Sequence, residues 1–285
     1  MATSPPSSKP SLCGVALLRL RGAFCGCDDL TIFEQPELFN SLVRLTVFSL
    51  QLDLPEIRSM PVRGPSMNRE IINDVTGVIL AGGKSTRMGS NKALLPYRGG
   101  RFIEAIHRLF ADIFSEVILV TNTPDQYDFL PCRKEQDILK GMGVLAGIHS
   151  GLYHSSSPAI FAVACDMPYL VEGLIRHMAS RADAGGVLIP EGPDGLEPLH
   201  AVYGKGCLAA METTLLSGQR RIVSFFDRTN VSKMNLEQVA IFDPSFVSFM
   251  NINTPVDYYE LRDNERLNRL DVERDFSRRL HSNTG

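Results

Sequence analysis

The sequence predicts an α/β fold built on a mainly parallel sheet, and three observations carry that expectation. Short apolar runs such as Val78-Ile79-Leu80 are rich in β-branched residues and have the length of inner strands. From Gly77 onward such runs alternate with segments whose apolar residues recur at helical spacing, the pattern of layered α/β proteins. Several of these runs lead into loops bearing glycine or aspartate, and a repeated strand-loop-helix order puts such loops on one edge of the sheet, where ligands bind.

Val78 to Leu80 is the first strand. Arg101 to Phe114 carries Phe102, Ile103, Ile106, Leu109, Phe110 and Ile113, a helical stripe, and Glu116 to Val120 is the next strand. Asp137 then precedes a glycine-rich turn and a helix opening near Leu145. Pro158 to Cys165 is another apolar strand, closed by Asp166-Met167-Pro168 ahead of a helix at Val171. Thr254 caps and Pro255 starts a helix at Val256. From Tyr258 to Leu280, acids and arginines at helical spacing predict a solvated helix with a stripe through Leu261, Leu267, Leu270 and Phe276.

At 285 residues, 44% hydrophobic and with a net charge of −3, the chain has the composition of an ordinary globular protein. That near-neutral balance argues against general nucleic-acid binding. No apolar run reaches the roughly eighteen residues that span a bilayer. Six cysteines are scattered, with only Cys25 and Cys27 close together, which suits reduced thiols in the cytoplasm better than a disulfide or zinc framework. Residues 1–66 open on a Ser/Pro-rich stretch. Arg19 and Arg21 interrupt the apolar run that follows, which disqualifies a secretory signal, and Asp28, Asp29, Glu34 and Glu37 suit a transit peptide poorly. The expectation is an extension or mis-assigned start before Met67, a domain over 67–260 and a helical tail over 261–285.

The most informative stretch is VILAGGKSTRMGSNKALL at 78–95. Gly82-Gly83 lets the backbone turn sharply after a strand, and Lys84, Arg87 and Lys92 add cations within one loop, the make-up of a triphosphate site. It is not a P-loop, because G-x-x-x-x-G-K-S/T needs glycine where Val78 stands. Asp166, at the exit of an apolar strand, is poorly placed for packing and well placed to hold Mg2+, a hard cation that prefers oxygen ligands. A turn or N-cap role is the competing reading for it, and Asp137 carries the same ambiguity.

The loop resembles the signature of nucleotidyltransferases that activate sugars, polyols and pterins, on Leu80, Ala81, Gly82, Gly83, Ser85, Arg87, Met88, Gly89 and Lys92. Further pieces narrow the resemblance to the molybdenum cofactor guanylyltransferases, the MobA-like family: DILKGMGVLAG from Asp137, ACDMPYL from Ala164, EPLHAVY from Glu197, GQRRIVSFF from Gly218 and NINTP from Asn251. Val144, where proline is frequent, departs from the pattern.

That resemblance implies a single Rossmann-like three-layer nucleotidyltransferase domain that transfers GMP from GTP to the phosphate of molybdenum-loaded molybdopterin. The products would be the guanine dinucleotide and pyrophosphate, with Mg2+ required. Arg87 and Lys92 would meet the phosphates, and Asp166 the metal and nucleotide, with Asp137 in support. Leu80, Ala81, Gly82 and Gly83 would bed the guanine. His200, Arg220, Arg221, Asn251 and Asn253 would receive the pterin. A molybdenum insertase and molybdoenzyme chaperones are the implied partners. The alternatives are a cytidylyltransferase for the same cofactor, which more often carries alanine at the position of Gly82, a sugar- or polyol-phosphate nucleotidyltransferase, and a non-catalytic nucleotide-binding adaptor.

Overall fold

A computed structural model describes residues 70–82 and 91–262. The extension over 1–66, Gly83, Arg87 and the stripe residues Leu267, Leu270 and Phe276 lie outside those residues.

The first strand, β1 (Val75–Leu80), is buried along its whole length. A small hairpin follows, β2 (Pro96–Tyr97) with β3 (Gly100–Arg101), and then helix α1 (Phe102–Ala111). The predicted stripe is what α1 buries: Phe102, Ile103, Ile106 and Phe110. The chain continues through β4 (Val117–Val120), β5 (Arg133–Glu135), α2 (Val144–His154), β6 (Ala159–Ala164) and α3 (Glu172–Ala179). The second half supplies β7 (Gly186–Gly192), β8 (Gly195–Leu196), β9 (His200–Gly204), α4 (Leu208–Leu216), β10 (Asn230–Met234) and α5 (Leu236–Ala240).

In the main sheet the order is β5-β4-β1-β6-β9-β7-β10, with β8 pairing β7. The pairs β5/β4, β4/β1, β1/β6 and β7/β10 are parallel, whereas β9 runs antiparallel to both β6 and β7. The inversion has a local cause. Between β7 and β9 the chain has only the β8 turn, pivoting at Gly195 with φ 119°. A parallel return would need a crossover of about a dozen residues or more.

Alternating side chains of β1 feed two cores, as strand geometry requires. Val75 and Ile79 join α1 and α3 on one face, and Val78 and Leu80 join α2 and α4 on the other, giving three layers. Gly151 lets α2 settle directly on β1, since a Cβ there would lie 2.7 Å from Val78 Cγ1. Gly143, at φ 78°, turns the chain into α2.

A third apolar cluster joins the hairpin to the far end of the chain: Tyr97, Phe102, Ile252, Tyr258 and Leu261. Tyr97 stacks on Phe102 at 4.7 Å, and the Tyr258 hydroxyl donates to Pro96 O at 3.0 Å. The helix predicted at Val256 occupies 255–262 and docks through Tyr258 and Leu261. The boundary drawn at 260/261 therefore falls within a helix.

Candidate active site

The site begins where β1 and β6 end side by side. Ile79 pairs with Val163 and Leu80 with Ala164, so the glycine loop after Leu80 and Asp166 after Cys165 leave the sheet at the same edge. Ala81 N–H donates to Val120 O and Cys165 N–H to Leu80 O, extending the sheet one residue past each strand. Leu80 and Ala81 are buried, while Gly82 is exposed and a Cβ built on it meets nothing within 4 Å among the described residues.

Lys92 opens a 3-10 turn, Lys92–Leu94, capped by Asn91, whose side chain accepts Ala93 N–H at 3.2 Å. The Asn91 amide also donates to Tyr127 Oη at 2.8 Å and Gln126 Oε1 at 3.0 Å, tying the turn to the chain beyond β4. From this base the Lys92 ammonium reaches Asn253 Oδ1 at 2.8 Å and Asp166 Oδ2 at 3.4 Å. The Lys92 and Asp166 side chains are 16% and 21% exposed, so the pair is partly screened from water.

Asp166 is not the cap of α3. That position belongs to Val171, and Val171 N–H is taken by Ser248 Oγ. Of the two competing readings for Asp166, the N-cap therefore has no counterpart here, while the residue does sit in the turn that follows β6, with its carboxylate facing Lys92. Cys165 beside it is half-buried, and desolvation of its thiol together with the Asp166 charge pushes the thiol up to about 12, which keeps it protonated.

The NINTP segment reaches the site through one backbone bond, Ile252 N–H to Asp166 O at 2.9 Å. Ile252 turns inward, and Asn251 and Asn253 turn outward on the opposite face, as the alternation predicts. Thr254 and Asp257 form a reciprocal cap. Asp257 N–H donates to Thr254 Oγ1, while the Asp257 carboxylate accepts Asn253 N–H at 2.7 Å and Thr254 N–H at 2.8 Å.

Asp137 sits farther along the same edge. Its carboxylate accepts the Asn122 side-chain amide at 2.8 Å, and its N–H donates to Asn122 Oδ1. A Cβ on Gly147 would touch both Leu80 Cδ2 (3.3 Å) and Asp137 Oδ1 (3.6 Å), which places Asp137 beside the end of β1. Among the described residues no hydrogen bond joins it to Lys92 or Asp166. Arg220 and Arg221 are exposed, and Arg220 Cβ lies 3.8 Å from the Cβ position of Gly143, at the mouth of α2.

His200 is placed otherwise than expected of a residue that touches substrate. It is fully buried, edge-on to Phe161 and Phe249 at 5.1 and 5.3 Å between ring centres, and among the described residues neither ring nitrogen has a hydrogen-bond partner. Burial lowers its pKa to about 3, so the ring is a neutral core element. Three residues that support the site were not singled out from sequence: Asn91, Asn122 and Asp257. Only Asp257 carried a readable signal, three residues after a helix-capping threonine.

A MobA-like NTP transferase domain matches residues 77–233, more than half of the chain. The chain belongs to the MobA-like NTP transferase family. Among relatives of this family, a probable molybdenum cofactor guanylyltransferase of Pelotomaculum thermopropionicum is 34% identical over 198 residues, covering 68% of this chain and 97% of its own length. A molybdenum cofactor guanylyltransferase of Desulfosudis oleivorans is 35% identical, covering 63% of this chain and 90% of its own. A solved structure from Archaeoglobus fulgidus, described as molybdopterin-guanine dinucleotide biosynthesis protein A, superposes with a TM-score of 0.58 at 29% identity, covering 65% of this chain and 96% of that one. This MobA-like chain is therefore a nucleotidyltransferase, with the Rossmann-like architecture expected of it. No helix among the described residues of the MobA-like protein is long and apolar enough to cross a membrane.

Proposed function

We propose that this nucleotidyltransferase acts in the cytoplasm in molybdenum cofactor biosynthesis, moving GMP from GTP onto the terminal phosphate of molybdenum-loaded molybdopterin with release of pyrophosphate. The observation that carries this reading is the convergence of Lys92, Asp166 and Asn253, contributed by three distant segments, at the edge where the glycine loop leaves β1. The relatives named molybdenum cofactor guanylyltransferases support this choice of substrates.

The attacking group is an anionic phosphate oxygen, so no activated serine or cysteine is needed. The difficulty is one anion approaching another, and catalysis is then electrostatic positioning. Asp166 already turns a hard oxygen toward one cation, the Lys92 ammonium, and that carboxylate suits Mg2+. When bound, Mg2+ supplies Lewis-acid neutralisation of the triphosphate. Lys92, on a capped turn, stabilises the charge that moves onto pyrophosphate, and Arg87 belongs to the same loop. Leu80, Ala81, Gly82 and Gly83 receive the base. Asn251, Arg220 and Arg221 lie on exposed segments suited to a phosphate-bearing pterin. Asp137, held by Asn122, supports the nucleotide side.

Pyrophosphate release by the full chain with Mg2+ and molybdenum-loaded molybdopterin tests this, comparing GTP with CTP and using mannose 1-phosphate as the control acceptor. GTP-selective, pterin-dependent release is expected. Preference for CTP would move the protein to the cytidylyl relatives, and turnover with the sugar phosphate alone would overturn the pterin assignment.

A further inference from the structure

We propose that Asp257, outside the signature loop and with no hydrogen bond to Lys92 among the described residues, is a positioning residue that sets the Lys92 ammonium through Asn253. This deepens the function proposed above and rests on Lys92 acting on phosphate. The path is continuous. The Asp257 carboxylate takes Asn253 N–H at 2.7 Å, Thr254 N–H at 2.8 Å and the Thr254 hydroxyl at 2.8 Å. Those bonds hold the backbone from which the Asn253 side chain projects, and Asn253 Oδ1 accepts from Lys92 Nζ at 2.8 Å, a shorter contact than Lys92 makes with Asp166.

A lysine has a long stem with about 2 kcal/mol of rotamer entropy, so its ammonium stays in one place only where an acceptor is itself fixed. Asn253 is exposed, and without Asp257 its amide would face water and its carboxamide would lose its aim. Partial burial by itself would raise the Asp257 carboxyl. The hydrogen bonds from Asn253 and Thr254 outweigh that and hold it below the usual carboxylate range, so the clamp is charged at neutral pH.

Ordinary capping would account for the Thr254 bonds. It does not require the bond to Asn253 N–H, one residue outside the cap, which is what connects the helix start to the site. The 255–262 helix is in turn pinned to the hairpin by Tyr258. The clamp is thus built on a packed base.

The test is pulse acetylation of the full-length protein without nucleotide, each lysine read by mass spectrometry. In Asp257→Ala and Asp257→Asn, Lys92 should label severalfold faster. Lys134, bound to Leu130 O and Cys132 O, and Lys205, bound to Ser155 O, should keep their wild-type rates. In the nucleotidyl-transfer assay kcat should fall by up to about 10²-fold, the scale of a misplaced group. The loss should vanish in a Lys92→Ala background. Unchanged Lys92 labelling, equal acceleration of all three lysines in both variants, or full additivity with Lys92→Ala would overturn the proposal. A protein inert toward GTP whose Lys92 still responds to Asp257 would leave the positioning role standing and remove the proposed reaction.

Discussion

Replacing Asn91 by alanine should loosen the Lys92 turn and lower stability by a calculable amount. Asn91 caps the turn through Ala93 N–H and donates to Tyr127 Oη and Gln126 Oε1. A lost cap costs about 1 kcal/mol. The bond to the buried Tyr127 contributes about another 1 kcal/mol, and the exposed bond to Gln126 little. For a domain of this size a loss of about 2 kcal/mol lowers Tm by about 4–8 °C. Asn91→Asp should fall within about 0.5 kcal/mol of wild type, because its carboxylate still accepts Ala93 N–H and the Tyr127 hydroxyl can reverse to donate. Differential scanning calorimetry of the three proteins, with pyrophosphate release measured alongside, checks this. The reasoning fails if Asn91→Ala melts within about 1 °C of wild type, a shift well under its predicted loss, or if Asn91→Asp is as damaging as alanine.

Other outcomes follow from the same contacts. Asp166→Asn should abolish turnover with the melting curve unchanged, while Lys92→Ala should cost about 10²–10³ in kcat, the scale of a lost charge-stabilising donor; near-wild-type turnover in either would remove that residue from the chemistry. Gly82→Ala should leave stability unharmed, since its Cβ meets nothing among the described residues and its φ is not positive, while shifting GTP-over-CTP selectivity; unchanged nucleotide ratios would detach Gly82 from base recognition. His200 predicts an acid sensitivity of known sign. Its folded pKa, about 3, lies below the unfolded value of 6.5, so the unfolded state binds the extra proton and stability present above pH 6.5 is lost as pH falls toward 3. Between pH 7.5 and 5 that loss is about 2 kcal/mol. In urea titrations at both values, His200→Phe should lack this share of the acid sensitivity; an equal loss in both proteins would contradict it.

The sequence alone was enough to predict the strand-loop-helix alternation, the stripe of α1, and the helix opening after Thr254, because apolar periodicity and capping act over a few residues. It also singled out Lys92 and Asp166, since a glycine turn with cations and an aspartate at a strand exit are local patterns. It could not show that β9 inserts beside β6, nor that His200 is buried between Phe161 and Phe249. Both depend on strand order in the sheet, and no local pattern records that. Nor could sequence join Lys92 to Asn253 across 161 positions, or Asp166 to Ile252. Those contacts exist because the 255–262 helix packs on the β2/β3 hairpin through Tyr258. The charged residues were legible from the chain, but their convergence was decided by long-range packing, which alone sets the distances that electrostatic chemistry depends on.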